Sequence, residues 1–239
     1  MSFDPYEFDR SYTPASQNYS LGHYTAKTFL WVMLGLLVSG VVMVACWATR
    51  FTLYVMYTMP YIHLIALVAT LILSVTMARR IEKMGVGTAI TMFLLFSAIF
   101  GFTLSIYLFV YELMAVVLCF LLTGVYFGAL AAYGYLTKRD LTGLGPILFS
   151  GLIFLIIFGV VSLFIPGLEV LDRVVCLVGI AVFLGYTAYD TQKIKSYYNY
   201  YAGYPDMLAK ASIFSALQLY LDFINLFLYL LRFLGNRKN

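Results

Sequence analysis

Charged side chains are scarce in this chain, since Asp, Glu, Lys and Arg together make up 11% of its 239 residues. A soluble domain carries about 25%, so this composition excludes an ordinary soluble protein. Hydrophobic residues account for 63% of the chain, and the mean hydropathy is +0.91. The net charge of +4 comes from loop arginines and lysines and indicates no nucleic-acid partner. The sequence therefore predicts an integral membrane protein whose main partner is the lipid bilayer.

The chain also lacks the patterns of metal-binding, disulfide-linked and barrel proteins. Its three cysteines, Cys46, Cys119 and Cys176, lie in or beside apolar runs, at spacings that fit neither a zinc site nor a disulfide framework. We expect them to pack as small apolar side chains. No alternation of period two separates the turns, which excludes a transmembrane β-barrel.

Long apolar runs are what the chain does have. A helix of about 20 apolar residues crosses a bilayer, and seven runs of this kind occur, at 27–48, 54–78, 86–110, 113–136, 144–165, 172–190 and 207–233. We therefore predict an all-α polytopic membrane protein with seven transmembrane helices in one domain over 27–235. Residues 1–26 are predicted to form a flexible N-terminal tail, and 236–239 a C-terminal tail.

The distribution of positive charge favours a cytoplasmic N-terminus. Short cytoplasmic loops are enriched in Lys and Arg, and in this orientation seven such residues lie in the inner connections: Arg79, Arg80, Lys83, Lys138, Arg139, Lys193 and Lys195. The outer connections carry two, Arg50 and Arg173. Seven crossings would place the C-terminal tail outside, unless the last segment is re-entrant and returns to the cytoplasm.

Small residues recur at a spacing of four on two of the predicted helices. The first ridge is Ser97, Gly101 and Ser105, and the second is Gly124, Gly128 and Ala132. Ridges of this kind let helix backbones approach closely in a membrane. We expect both ridges to pack tightly against neighbouring helices.

The last apolar run contains a polar stripe. Polar residues recur there at intervals of three or four: Ser215, Gln218, Asp222, Asn225, Tyr229 and Arg232. This spacing places them within about 100° of the helix circumference, and lipid cannot satisfy their hydrogen bonds, so the stripe must face protein or water. We predict that the last helix is central in the bundle. Ser215, Gln218, Asn225 and Tyr229 are predicted to line a polar path, the alternative being a stripe that only holds helices together.

Asp222 is the residue of this stripe that a membrane tolerates least. An ionisable group at bilayer depth is costly and indicates a functional site, and Asp190, at the end of the preceding run, is its obvious partner. If the last helix begins at the membrane surface near Met207, Asp222 lies about 22 Å deep and the two aspartates miss each other. They meet if the first turns of that helix project into the cytoplasm.

Two carboxylates that meet in a site of low dielectric constant would share one proton rather than both ionise. With the shared proton they would tie two helices together, and without it they would repel each other or bind a cation. Because Ca²⁺ prefers several oxygen ligands, Asp190 and Asp222 are predicted to form a transient calcium station but no dedicated cage.

These residues carry a resemblance to a known family. The segment Leu219-Tyr-Leu-Asp222-Phe-Ile-Asn225-Leu-Phe-Leu-Tyr-Leu-Leu-Arg232-Phe-Leu is similar to the final-helix signature of the Bax inhibitor-1 family, also called TMBIM or Lifeguard. Further similar segments are Tyr189-Asp190-Thr-Gln-Lys-Ile, Thr137-Lys-Arg-Asp140-Leu-Thr and Phe100-Gly-Phe-Thr-Leu-Ser105. The resemblance extends from about residue 27 to residue 235.

The resemblance implies a central seventh helix wrapped by six others, and a pH-sensitive calcium leak. Asp190 and Asp222 match the family's pH-sensing pair, and Arg79 or Arg80 occupies the place of its basic latch at the end of helix two. Some bacterial relatives have a glutamate within helix two, where this chain has no acid before Glu82, so that glutamate's ion-binding role is not expected here.

From the resemblance we expect a channel and not an enzyme. We also expect no cofactor, and as partners besides lipid we expect protons and calcium ions, calcium being the permeant ion. The N-terminal tail lacks the long Pro-rich extension of the animal relatives, which favours a bacterial inner membrane.

Three other functions are compatible with the residues. They are a stress or apoptosis regulator that acts through protein partners, a proton-coupled cation exchanger, and an intramembrane aspartyl protease. The protease is disfavoured because Asp222 follows Leu-Tyr-Leu instead of Gly-x-Gly, and no Pro-Ala-Leu segment comes after it.

Overall fold

A computed structural model describes residues 20–162, 164–165, 169–236 and 238 of the chain. Its helices are α1 (Leu21–Ala48), α2 (Phe51–Thr58), α3 (Ile62–Arg80), α4 (Val86–Leu104), α5 (Tyr107–Val110), α6 (Leu113–Leu136), α7 (Gly145–Ser162), α8 (Glu169–Tyr200) and α9 (Pro205–Leu234). A short 3-10 helix, Thr142–Leu144, precedes α7. Seven segments of the described chain are helical, long and apolar enough to cross a membrane. This confirms the prediction of an all-α bundle with seven spans.

The first helix begins earlier than predicted. Its N-cap is Ser20, whose side-chain oxygen accepts a hydrogen bond of 3.2 Å from the backbone N–H of His23. A serine in this position satisfies one of the four N–H groups that a helix start leaves unpaired. Residues 21–26, predicted as part of the tail, are therefore helix, and the remainder of the predicted tail, 1–19, lies outside the described residues.

Two other predicted spans also have different bounds. The run 54–78 is interrupted between α2 and α3 at Met59–Tyr61, because Pro60 has no backbone N–H with which to continue a helix. The sixth predicted span, 172–190, is too short, because α8 continues for another ten residues to Tyr200. Residues 191–200, which lie outside the predicted span, are thus the last turns of α8.

The last helix is central, as predicted. The buried share of the most apolar window of α9 is 67%, whereas no other described span exceeds 39%. α9 contacts α1, α3, α4, α6 and α8. Side chains on different sides of it, including Leu219, Tyr220, Leu226 and Leu231, are fully enclosed.

Tyr220 sets the rotation of α9 about its own axis. Its ring makes edge contacts with three phenylalanines of α4, Phe93, Phe96 and Phe100, at centroid distances of 5.6–6.3 Å. Its hydroxyl lies 2.7 Å from the side-chain oxygen of Ser39 on α1, in a hydrogen bond. Residues two apart on a helix point about 200° from each other, so this anchor turns Asp222 away from α1 and α4 and towards α8.

The first small-residue ridge packs as predicted. Ser97, Gly101 and Ser105 are buried, and Ser39 of α1 donates a hydrogen bond of 2.7 Å to the carbonyl oxygen of Ser97. The helices approach so closely that a Cβ at Gly101 would lie 2.5 Å from the carbonyl oxygen of Ser39. This position of α4 therefore requires glycine.

The second ridge was predicted wrongly. Gly124, Gly128 and Ala132 are exposed on α6, and a Cβ at either glycine would meet nothing within 4 Å. Small residues at this spacing leave a groove on a helix, but the spacing does not say whether another helix fills it. Here the ridge faces outwards, and its first residue, Gly124, lines an apolar groove between α1 and α6.

The cysteines are all free thiols. Cys119 lies in the main apolar core, and Cys176 on α8 is fully buried, whereas Cys46 is half-buried. Their prediction as packing residues is confirmed.

The structure decides between the two courses proposed for the last segment. α9 runs unbroken over Pro205–Leu234, and Lys238 beyond it donates a backbone hydrogen bond of 2.9 Å to the carbonyl oxygen of Val110. Near the start of α9, Ser212 shares a hydrogen bond of 3.0 Å with Thr28 in the first turns of α1. The C-terminus therefore lies at the opposite end of the bundle from the start of α1, and α9 is not re-entrant.

We expect Gly101→Ala to lower the thermal stability of the purified protein by about 1–3 kcal/mol, because the added methyl group overlaps the backbone of Ser39. Gly124→Ala is the matched control, since its methyl group enters open space, and alanine is the better helix former by about 1 kcal/mol. Unfolding of both variants in one detergent measures the difference. Equal unfolding temperatures would contradict the close approach of α1 and α4.

Candidate functional site

The two aspartates singled out by the sequence lie at one level in the antiparallel pair formed by α8 and α9. On one side of them Tyr197 contacts Phe214, with ring centroids 6.2 Å apart. On the other side Phe183 stacks on Tyr229 at 5.9 Å. This register brings the carboxyl groups within electrostatic range of each other.

The length of the two helices removes the difference in depth that the sequence suggested. α8 has 32 residues and α9 has 30, so each is about 45 Å long or more, against about 30 Å for the hydrocarbon core of a bilayer. The estimate of about 22 Å assumed that the last helix begins at the membrane surface. Instead, the register shows that the first turns of α9 extend past the end of α8.

Both carboxylates are enclosed by protein. Asp222 is 4% exposed and Asp190 is 8% exposed. The Oδ2 atom of Asp222 is buried and has no hydrogen-bond partner among the described residues. An ionised carboxylate in such a place carries a large desolvation cost, so this position is unfavourable unless the group is neutral or another charge balances it.

Lys193 supplies a balancing charge. It lies one helical turn after Asp190 on α8, is half-buried, and its ammonium group acts electrostatically on both aspartates. The rings of Tyr189 and Tyr197 hold this ammonium between them, with both centroids 5.6 Å from its nitrogen. The sequence had indicated only that Lys193 sets the membrane topology, although its spacing of three from Asp190 was a usable signal.

The phenol of Tyr186, one turn before Asp190, also interacts electrostatically with both aspartates. The site thus consists of two carboxylates, one ammonium group and one phenol. With one proton on the carboxylate pair its net charge is zero, and with none it is −1.

Asn225 and Tyr229 continue the polar stripe from Asp222 towards the end of α9. Tyr229 stacks on Phe183 and lies over Gly179, where an added Cβ would be 2.6 Å from the tyrosine ring. Asn225 donates a hydrogen bond of 2.8 Å to the carbonyl oxygen of Leu221 in its own helix. In this conformation the Tyr229 ring is packed against α8, and the Asn225 amide is bonded within its own helix.

Further along the stripe towards the start of α9, Gln218 is half-buried and Ser215 is 2% exposed. The Ser215 hydroxyl faces that of Tyr24 on α1. Neither oxygen has a hydrogen-bond partner within the described part of the chain. These are polar groups without a protein partner, at the end of the stripe where α1 begins.

Arg79 and Arg80 are not brought to the aspartates in this conformation. Both are exposed at the end of α3, where they line a cavity between the end of α3 and the start of α4. Their predicted role as a latch on the pair therefore stays a prediction, and the cation whose charge reaches both carboxylates here is Lys193.

Comparison with known proteins agrees with this architecture. The family model described as "Inhibitor of apoptosis-promoting Bax1" matches residues 21–239. The chain belongs to the Bax inhibitor-1 family. The inner membrane protein YbhL of Escherichia coli K12 is 37% identical over 232 residues, which cover 97% of this chain and 99% of that protein. An uncharacterized protein of Rickettsia prowazekii is 36% identical over 237 residues, covering 98% and 99%.

Two segments that resemble the Bax inhibitor-1 family contact each other in the fold. Gln192, in the segment after Asp190, receives a hydrogen bond of 2.8 Å from the backbone N–H of Leu141 and donates one of 2.8 Å to the carbonyl oxygen of Arg139. Lys195 donates to the carbonyl oxygen of Tyr135. These bonds fix α8 to the loop after α6, immediately beside the aspartate pair.

No group of three or more His, Cys, Asp and Glu residues that could hold a metal ion occurs in the described part of the chain. The oxygen atoms that interact electrostatically at the site belong to the two carboxylates and the Tyr186 phenol. Since Ca²⁺ takes six to eight oxygen ligands, water would have to supply most of the coordination of an ion at this point.

We expect Asp222→Asn to raise the thermal stability by about 1–3 kcal/mol in alkaline solution, where the wild type must bury ionised carboxylates. The gain should shrink in acid, because the wild-type pair is then protonated as well. Unfolding of both proteins across a pH series measures it.

Asp172→Asn is the control, because Asp172 forms an ion pair with Arg232 at the other end of the same two helices. Losing this partly exposed pair should lower stability by less than about 1 kcal/mol. An Asp222→Asn variant that is destabilised to the same extent at every pH would contradict the buried-charge description.

Proposed function

We propose that this protein is a pH-sensitive calcium leak channel, gated by protonation of Asp190 and Asp222. The observation that carries the proposal is the buried carboxylate pair, with one aspartate on the central helix and the other on the helix packed against it. An inner membrane location is supported by the seven apolar spans and by the relatives named as inner membrane proteins. A cytoplasmic N-terminus is supported by the excess of Lys and Arg at that end of the bundle.

The closed state is the one in which the aspartate pair holds a single proton. The proton joins the carboxylates, and the remaining negative charge is balanced by Lys193. A site of zero net charge is compatible with its burial, so α8 stays against the polar stripe of α9. In this state the Tyr229 ring is packed against Phe183 of α8, and Asn225 is half-buried.

Loss of the shared proton leaves two negative charges against one positive charge. Like charges at close range in a site of low dielectric constant repel each other strongly. The repulsion acts between α8 and α9, and its relief requires the helices to separate or a cation to enter. Separation would expose Ser215, Gln218, Asn225 and Tyr229 to water, giving Ca²⁺ a polar path with a transient station at Asp190 and Asp222.

A latch role for Arg79 or Arg80 would require the end of α3 to move towards the aspartate pair. In that case an arginine would compete with the proton for the carboxylates and stabilise their ionised form. Lys193, which belongs to α8, already favours the ionised form of both carboxylates through its positive charge.

Calcium flux into proteoliposomes tests the gate. We expect wild-type flux to rise as pH increases from 6 to 8, because ionisation of the pair opens the channel. Asp222→Asn and Asp190→Asn should each lose most of this pH dependence, since one carboxyl group and an amide cannot share a proton in the same way.

Asp140→Asn is the matched control. Asp140 lies in an exposed loop, where hydrogen bonds from the backbone N–H and then the hydroxyl of Thr142 lower the pKa of its carboxyl group. It therefore stays ionised across the tested range, and its removal should leave the flux profile unchanged. Wild-type calcium flux that did not vary with pH would contradict the proposed gating. Calcium movement against its gradient, driven by a proton gradient, would indicate an exchanger instead.

Lys193→Gln should shift the midpoint of the pH–flux profile to higher pH, by about one unit. Without the ammonium group, a carboxylate pair with one proton has a net charge of −1, so the pair retains protons into more alkaline solution. Lys138→Gln removes a charge at the same end of the bundle, from a loop, and should not move the midpoint. A shift to lower pH in Lys193→Gln would contradict the charge balance assigned to the closed state.

A further inference from the structure

Three cationic side chains surround a cavity at the turn between α3 and α4. Arg79 and Arg80 come from the last turn of α3, and Lys83 from the turn itself. The cavity has a volume of about 760 Å³, which is in the range of binding sites for small organic molecules. Among the residues that the structure describes, none of the three forms an ion pair with an acidic side chain.

The acidic residue of this turn is directed elsewhere. Glu82 does not line the cavity, and its carboxylate accepts a hydrogen bond of 3.2 Å from the hydroxyl of Tyr201 after α8. Its backbone carbonyl accepts another, of 3.1 Å, from Lys210 on α9. The positive charge facing the cavity is thus not neutralised by its nearest acid.

The start of α4 adds hydrogen-bond donors to the same cavity. Gly85 is the N-cap of α4, provides no side-chain cap, and lines the cavity together with Thr88 of the first turn. The first N–H groups of a helix have no intrahelical partner and carry a partial positive charge, which favours anions. The cavity therefore combines three cations, backbone N–H groups and a threonine hydroxyl.

The cavity also has an apolar wall, formed by Met84 and Met92. The position at the ends of two membrane spans corresponds to the level of lipid headgroups. A ligand that suits both surfaces has an anionic group beside an apolar portion.

We propose that the cavity bounded by Arg79, Arg80, Lys83 and the start of α4 binds a phosphate group, carried by an anionic lipid headgroup or present as free phosphate. Guanidinium groups pair with phosphate through two parallel hydrogen bonds, and helix N-termini bind phosphate through their free N–H groups. A phosphate in this place engages the arginines that the family resemblance assigns to a latch. The site itself does not depend on calcium conduction.

Lipid binding to the full-length protein tests the proposal. Native mass spectrometry of the purified protein, titrated with phosphatidylglycerol or phosphatidylcholine, measures the affinity for each. We expect the wild type to prefer phosphatidylglycerol, and Arg79→Gln/Arg80→Gln to lose about fivefold in that affinity for each charge removed. Arg79→Lys/Arg80→Lys should lose less, because it keeps the charge but not the paired hydrogen bonds.

The matched control is Lys138→Gln/Arg139→Gln, which removes two exposed charges from the same end of the bundle. It should bind phosphatidylglycerol as the wild type does. If inorganic phosphate displaces the lipid, free phosphate is a sufficient ligand; if it does not, the site requires the lipid.

The result that overturns the proposal is an equal loss in Arg79→Gln/Arg80→Gln and in the control, or no preference of the wild type for phosphatidylglycerol. Should the double arginine variant fail to elute as a folded protein, Lys83→Gln carries the same test, with an expected loss of about fivefold. None of these measurements involves calcium flux, so failure here is distinguishable from failure of the proposed channel.

Discussion

The fold depends on one constraint, that the polar face of α9 cannot be exposed to lipid. A bilayer core offers no hydrogen-bond partner, and each polar group left in it costs free energy. The bundle meets this constraint by enclosing α9, with Tyr220 anchored to α1 and α4 on one side. On the opposite side α8 covers the stripe over much of its length, from Phe183 to Tyr197. The other helices then pack around this pair.

The same enclosure gives the two aspartates their chemistry. In water each would be an ordinary ionised carboxylate, whereas between α8 and α9 they are buried and share one nearby cation, Lys193. The charge balance of this group is satisfied by one proton and disturbed by its loss. Because the carboxylates belong to different helices, a change in protonation acts directly on the contact between those helices, which is what a gate requires.

The two ends of the bundle have different character. At the end where α1 begins, α3 and α4 meet in a cationic cavity, and Gln192 ties α8 to the loop after α6. At the other end Lys238 bonds to Val110, the last residue of α5, and Asp172 pairs with Arg232. The cationic end carries both the proposed phosphate site and the arginines of the predicted latch. The proposed phosphate site and the predicted latch thus involve the same two arginine side chains.

Much of the fold was predictable because its signals are local. Runs of about 20 apolar residues indicate spans, and polar residues at spacings of three and four indicate a helix face that must be enclosed, which identified α9 as central and Asp222 as its critical residue. The break at Pro60 and the cap at Ser20 were also local signals, but a prediction of spans from hydropathy alone does not include them. Asp190 was identified as a partner, although counting along one helix placed the two aspartates at different depths.

The sequence by itself determined the number of spans, the central position of α9 and the residues that would be costly in a membrane, because hydropathy and helical period are properties of single segments. The tertiary structure alone decided the register of α8 against α9, the approach of Lys193 to the pair, and the outward direction of the ridge at Gly124. Each of these depends on which surfaces of distant segments meet. No spacing within one helix contains that information, since it arises when side chains such as Tyr220 find partners on other helices.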